Sequence, residues 1–454
     1  MMKFLIKEIK TNLDAFDIYS LFKEDKTVIF LDSGTDYNDL GRYSFIGINS
    51  FNTFKYENKK CFIDEKVIEN GNPFEFIKKL IDSYRIENNT GLPYIGGAMG
   101  YFSYDLGRTI EEIPEIAEKQ LQIPDCYLYF YDNAIIRDNL EKRTYITALG
   151  ILKEAKDSIS ELKEKIYAGK KIIYSELKER NREFISNFTR EEYLSSIEKV
   201  RNYIKDGDIY IANLTQNFSC ETSTEPYEVY KALRHKNPAP FAAFLNVEDF
   251  SIVSSSPERF LKIKDKFVET RPIKGTRPRG ENLSEDLKNA KELIKSEKDK
   301  SELLMIVDLE RNDLSKVCRA DSVEVTELFK LEEYSTVFHL VSTVVGILKD
   351  EFTVVDCLKA CFPGGSITGA PKIRAMEIIE ELEPTKRNIY TGCIGYLGFD
   401  GGADLNIAIR TIVMKDKKAY FGVGGGITWE SIKEDEYEET LDKAKALMRC
   451  LKQS

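Results

Sequence analysis

The run Arg271-Pro272-Ile273-Lys274-Gly275-Thr276 holds the residues of this chain best suited to chemistry. One lysine stands between a proline turn and a Gly-Thr pair, just after a strand-like segment from Phe267 to Thr270. Gly275 lets a backbone N–H approach a ligand closely, and Thr276 adds a hydroxyl. Lys274 then points at whatever those donors hold. Its amine becomes a nucleophile when burial or a nearby cation lowers its pKa. A solvated surface lysine is the plain alternative, and it suits nearly all of the 66 Lys and Arg residues. Lys274 is set apart by its company.

Two glutamate sets have the character of metal ligands. Glu302 lies on a long helical pattern that continues into Met305-Ile306-Val307-Asp308-Leu309. Glu436 and Glu439 lie on the last helix, where Lys443 follows on the same stripe and Leu441, Ala444, Leu447 and Leu451 form the apolar stripe. Ser431, with Glu434 three residues on, reads as the cap of that helix. Carboxylates from separate helices suit Mg²⁺, which takes a few protein oxygens plus water and substrate oxygens. Glutamates at this spacing on an acidic helix also serve as a merely solvated face.

Arg410 lies in Asn406-Ile407-Ala408-Ile409-Arg410-Thr411-Ile412-Val413, read as a strand apolar on both faces. A buried guanidinium there needs an anion, either a ligand carboxylate or a structural partner. Gly424-Gly425-Gly426 reads as the end of a strand, either a place where bare N–H groups meet an anion or a tight turn. Asp308 to Asp313 reads as a polar segment ending a helix. Phe362 to Lys372 is a Gly/Ser/Thr loop opening a helix, whose N-terminus favours anions. His339, in an apolar run, is either a satisfied core residue or a group that orients an acid or base.

The elements that must position these residues are mixed. Residues 1–150 read as an N-terminal lobe of short strands, such as Thr27 to Leu31 and Cys126 to Tyr131. Residues 151–187 are rich in Lys and Glu and read as a charged helical connection. Residues 188–454 read as the catalytic domain. It opens with a Thr189/Glu192 capping box and a helix stopped by Gly207, then a strand from Ile209 to Phe218. Strands and helices do not alternate regularly, so the fold class is α+β, not a doubly wound sheet.

Composition sets the outer bounds. The chain has 454 residues, 42% hydrophobic and 31% charged, as in a soluble globular protein larger than one ordinary domain. Net charge is −10 and pI about 5.2, which argues against a nucleic-acid partner. No run of about 18 apolar residues marks a membrane span, and charge interrupts Met1 to Glu8 too early for a signal peptide. Eight scattered cysteines and two histidines fit free thiols in a reducing cytoplasm and leave little for a zinc site.

Together the motifs resemble the chorismate-utilising enzymes, the family of anthranilate synthase component I. The resemblance rests on Ser256-Pro257-Glu258-Arg259-Phe260, Arg271 to Thr276, Asp308 to Asp313, His339 to Thr343, Pro363 to Lys372, Gly392 to Gly398, Gly424 to Ile427 and Glu436-Tyr437-Glu438-Glu439-Thr440. It implies a large composite chorismate-binding fold, with antiparallel sheets in a β-sandwich-like core flanked by helices. Pro-Ile-Lys-Gly-Thr, with Asn213-Leu214-Thr215-Gln216, is similar to the branch that makes 4-amino-4-deoxychorismate for folate; the anthranilate branch typically has alanine in place of Lys274. The chain departs from the pattern at Asn217, Ser315 and Trp429-Glu430, and Trp429 is expected near the site mouth.

The resemblance implies roles. Lys274 is the nucleophile, Glu258 the general acid and His339 a further catalytic group. Gly275, Thr276, Tyr390, Arg410, Gly424, Gly425 and Gly426 bind substrate. Glu302, Glu439 and Glu436 hold Mg²⁺. Ammonia comes from glutamine through a separate amidotransferase subunit, in a heterodimer. Ser33, Tyr43, Ser44, Phe45, Pro240 and Phe241 resemble the family's pocket for L-tryptophan. The alternatives implied are anthranilate formation for tryptophan synthesis, or a non-catalytic amino-acid-binding subunit.

Overall fold

The computed structural model describes residues 3–68, 71–174, 180–334 and 337–453. Met1 and Met2 of the leader reading, and residues 175–179 of the charged connection, lie outside the described residues.

The fold is α+β, and its strand ladders run antiparallel, as in the pairing of Ile211–Glu221 with Lys418–Ile427. Strands from the two ends of the chain share ladders. Ile29–Asp32 pairs with Phe241–Val247, and Gly97–Phe102 pairs with Cys393–Gly398. Buried aromatic and aliphatic side chains of both halves merge into one core that includes Phe45, Tyr94, Tyr101, Phe130, Phe260 and Tyr396. This burial is the main favourable term holding the ladders together. No helix among the described residues is long and apolar enough to cross a membrane.

Local signals explain several elements. Thr189 caps Arg190–Asp206 and exchanges hydrogen bonds with Glu192, and Gly207 ends the helix with φ +84°. The strand expected from Phe267 to Thr270 is present. In the charged connection, the helix Ala155–Tyr167 buries Ile159, Leu162 and Ile166.

Three expectations are corrected. Asp308 to Asp313 does not end a helix: it lies inside Glu297–Val317, where Glu310 and Asp313 are buried. The long apolar stripe of that helix keeps the segment helical, and Lys372 neutralises Asp313 at 2.5 Å. Ser431 is not a helix cap; the helix runs Lys433–Lys452. The Ser431 hydroxyl accepts from the Thr428 N–H and donates to Glu436 Oε1 at 2.7 Å. Arg410 is not in a strand. Ala403–Asn406 and Thr411–Lys415 are separate, and between them Arg410 takes φ +51°. Gly424 to Gly426 do not form a tight turn; they lie at the end of the strand Lys418–Ile427, opposite Thr215, Leu214 and Asn213.

Candidate active site

Lys274 sits on the strand Ile273–Pro278, paired with Val337–Ile347. The register slips between Lys274 and Thr276, because Gly275 adopts φ +77°. A Cβ at Gly275 would stand 2.8 Å from Leu293 Cδ1 and 2.9 Å from Asp299 Cβ, so only glycine fits this bulge. The Lys274 amine donates to the Ser366 carbonyl oxygen at 2.8 Å. Burial lowers its pKa; Glu302 and Glu258 oppose the shift, and Lys443 reinforces it.

Ser366 belongs to a short 3₁₀ turn, Gly365–Ile367, inside the glycine loop. Arg387 pins this turn: its guanidinium donates to the Ile367 carbonyl at 2.8 Å and pairs with buried Glu383 at 2.6 Å. Glu258 is buried in the connection between Phe250–Ser256 and Arg259–Lys264. Burial raises its pKa, while the Ser366 side chain, Lys274 and the Ile273 backbone pull it partly back. Acid and amine therefore meet around one serine.

His339, opposite Thr276 in the ladder, has its Nδ1 2.9 Å from the Thr276 hydroxyl. Burial and the Arg410 charge push its pKa down to about 4, so the ring is neutral at neutral pH. Arg410 donates to the Lys443 carbonyl oxygen. Among the described residues it has no carboxylate at ion-pair distance. Burial lowers its pKa, with Tyr390 and Glu439 acting against that. Its guanidinium is thus a partly buried cation without an anion. Tyr390 is buried, and its ring lies against Gly422, where a Cβ would meet Cδ1 at 2.4 Å.

The three glutamates converge on the glycine run. A Cβ at Gly425 would lie 3.4 Å from Glu436 and 3.7 Å from Glu439, and one at Gly426 would lie 3.6 Å from Glu302. The glycines are extended strand, and their missing side chains leave space for these carboxylates. Burial raises the Glu302 pKa to about 7, against the pull of Lys274 and Lys298. Lys443 pairs with Glu439 at 2.6 Å and donates to the Gly424 carbonyl at 2.9 Å. Solvent reaches Glu439. Partial burial acts to raise its pKa, and Lys443 outweighs this to leave it lowered.

Among the described residues, no three His, Cys, Asp or Glu side chains form a ready metal cage. Mg²⁺ does not need one, since water and substrate oxygens complete its shell. The donor set fits such a cation. Cationic lysines already lie on these carboxylates, Lys298 on Glu436 at 2.9 Å and Lys443 on Glu439 at 2.6 Å.

The chorismate binding enzyme family matches residues 26–449. The chain belongs to that family. It is 40% identical over 423 residues to the aminodeoxychorismate synthase component 1 of Bacillus subtilis, covering 91% of this chain and 90% of the relative. It is 37% identical over 458 residues to the anthranilate synthase component 1 of Acetivibrio thermocellus, covering 96% and 92%. The crystal structure of anthranilate synthase component I from Streptococcus pneumoniae superposes with a TM-score of 0.81, at 33% identity, over 90% of this chain and 92% of that one. The chain is therefore a chorismate-utilising enzyme of the aminodeoxychorismate/anthranilate synthase type, and its relatives carry both names.

Lys274, Glu258, Glu302 and Glu439 share one electrostatic environment, and so do His339, Arg410 and Tyr390. The residues expected to line a tryptophan pocket also lie together. The Ser33 hydroxyl lies 2.8 Å from the Tyr43 carbonyl oxygen and 2.9 Å from that of Pro240, and the Ser44 hydroxyl lies 3.1 Å from the Ser33 nitrogen. Phe45 packs edge-on to Tyr94 and Tyr396, and Arg259 stacks on Phe241. Of the departures from the family pattern, Asn217 donates to Thr385 Oγ1, Ser315 bonds its own helix at Arg311, and half-exposed Trp429 lies beneath the Arg201 guanidinium. Sequence reading missed Lys298 and the Ser366 carbonyl. The spacing of Lys298 and Glu302, one helical turn apart, was the available signal for the first; nothing local marks the second.

Proposed function

We propose that this enzyme converts chorismate and ammonia to 4-amino-4-deoxychorismate and water, the step toward 4-aminobenzoate and folate. The observation that carries the reading is the shared anchorage of Lys274 and Glu258 at Ser366. Burial favours a neutral amine at Lys274 and a protonated carboxyl at Glu258, the forms a nucleophile and a general acid require.

Lys274 Nζ adds to C2 of the ring. The two ring double bonds shift, the C4–O bond breaks, and the Glu258 proton leaves with the hydroxyl as water. Ammonia then bonds to C4, the double bonds shift back, the C2–N bond breaks with its electron pair returning to the Lys274 amine, and the new ammonium gives a proton back to the Glu258 carboxylate. Arg410 and Thr276 supply donors for the substrate carboxylates, and Tyr390 closes the pocket beside Gly422. Glu302, Glu439 and Glu436 would hold Mg²⁺, which supplies positive charge to the ring carboxylate. Ammonia would come from glutamine through a separate amidotransferase subunit.

Anthranilate formation is the second reading, favoured by the 37% identity to an anthranilate synthase component 1 over 96% of this chain. Mass identification of the product from chorismate, Mg²⁺ and ammonium separates them. An amino-chorismate that retains the enolpyruvyl group supports the proposal; fluorescent anthranilate with pyruvate sinks it.

A further inference from the structure

Lys298 stands in the first turn of Glu297–Val317, one turn before Glu302. Its ammonium lies 2.9 Å from Glu436 Oε1 and 3.9 Å from Glu302 Oε1, so one positive charge spans carboxylates from two helices. The pair is asymmetric. The Glu436 side chain is 3% exposed and that of Lys298 is 41% exposed. The lysine reaches in from solvent to a carboxylate whose other partner is the Ser431 hydroxyl. Its flexible stem allows the ammonium to leave without disturbing the core. Lys443 cannot take this place, because it is held on Glu439 and the Gly424 carbonyl.

We propose that Lys298 is a resident competitor for the cation of this site. Its ammonium neutralises Glu436 and Glu302 while no metal is bound, and a divalent cation must displace it to engage both. An unpaired buried carboxylate is costly, so the apo enzyme gains from the lysine. The arriving cation meets a like charge and an ion pair to break, so Lys298 weakens metal binding. The inference rests on the reading of Glu302, Glu436 and Glu439 as cation ligands.

The test uses the full chain without chorismate. Thermal unfolding midpoints are followed against MgCl₂ to give an apparent Kd for wild type, Lys298→Met and Lys298→Arg. Methionine keeps the stem and removes the charge. The Met variant should bind Mg²⁺ about ten-fold more tightly, and the Arg variant should stay near wild type. The Met variant should also melt lower than wild type without Mg²⁺, with the gap closing at saturation. If wild type binds Mg²⁺ and the Met variant binds it no better, the competitor role is overturned while the carboxylate site stands. If Mg²⁺ stabilises neither protein, or stabilises a Glu302→Gln/Glu436→Gln double variant as well as wild type, the site reading fails and this inference fails with it.

Discussion

The amine of Lys274 and the carbonyl oxygen of Ser366 are joined by a 2.8 Å hydrogen bond across 92 residues of sequence. The bond fixes the amine beside Ser366, and the hydroxyl of the same serine acts on Glu258. The spacing of amine and acid is thereby set by one residue of a turn that Arg387 clamps from behind. Catalytic groups must be held this tightly for positioning to lower a barrier.

Replacing the amine tests the chemistry most directly. Lys274→Ala should lower turnover by roughly a thousand-fold or more, since a nucleophile is lost. Stability should change by no more than about 1 kcal/mol, because the residue is only part-buried. Chorismate consumption with excess ammonium and urea unfolding read the two effects. Wild-type rates in this variant would refute the covalent role.

Gly275→Ala should act on both stability and rate. The new Cβ meets Leu293 and Asp299 below 3.0 Å at φ +77°, a conformation that costs about 1–3 kcal/mol in a non-glycine residue. Relief of the clash moves the bulge and with it Lys274. Chemical unfolding should show the loss, and kcat should fall more than KM rises.

Arg410 offers its charge to a ligand, since no carboxylate of the described chain takes it. Arg410→Met should raise KM for chorismate by about ten- to a hundred-fold, the value of a charge-assisted hydrogen bond, with a smaller change in kcat. Steady-state kinetics measure the split. An unchanged KM with a lowered melting temperature would make the arginine structural.

His339 predicts a pH effect with a definite sign. The folded ring titrates at about 4 and the free ring near 6.5. The unfolded chain binds the proton first as pH falls, so this stabilisation is complete above about pH 6.5 and is lost on descending to about pH 4. The full span is worth about 3 kcal/mol. Urea unfolding of wild type and His339→Gln should show a stability difference that shrinks from pH 7 to pH 4.5. A difference independent of pH would rule out this linkage.

Legibility in the sequence followed the range of the interactions. The Thr189 capping box, the Gly207 stop and the Phe267–Thr270 strand depend on neighbours a few residues away, and all are present as expected. Glu436 and Glu439 fall on the last helix as read, but their spacing alone fitted a solvated face equally, and only the family resemblance pointed to a cation. Contacts from afar reset the rest. Ser431 turns to Glu436 instead of capping, and Asp313 stays helical under Lys372. Ser255 fixes the Arg410 carbonyl while the chain turns left-handed, which a two-residue period does not encode. Gly424 to Gly426 signalled close approach, but not that carboxylates from two helices, Glu302 on one and Glu436 and Glu439 on the other, would lie beside Gly425 and Gly426.

The ladder between Gly97–Phe102 and Cys393–Gly398 bears on how the protein is born. During synthesis one edge of Gly97–Phe102 is covered early by residues 126–131, but the partner for its other edge emerges almost three hundred residues later. Until then one edge of that strand stays open, the kind of edge that invites pairing with another chain. A chain stopped before Cys393 would be not a weakened enzyme but a half-built sheet.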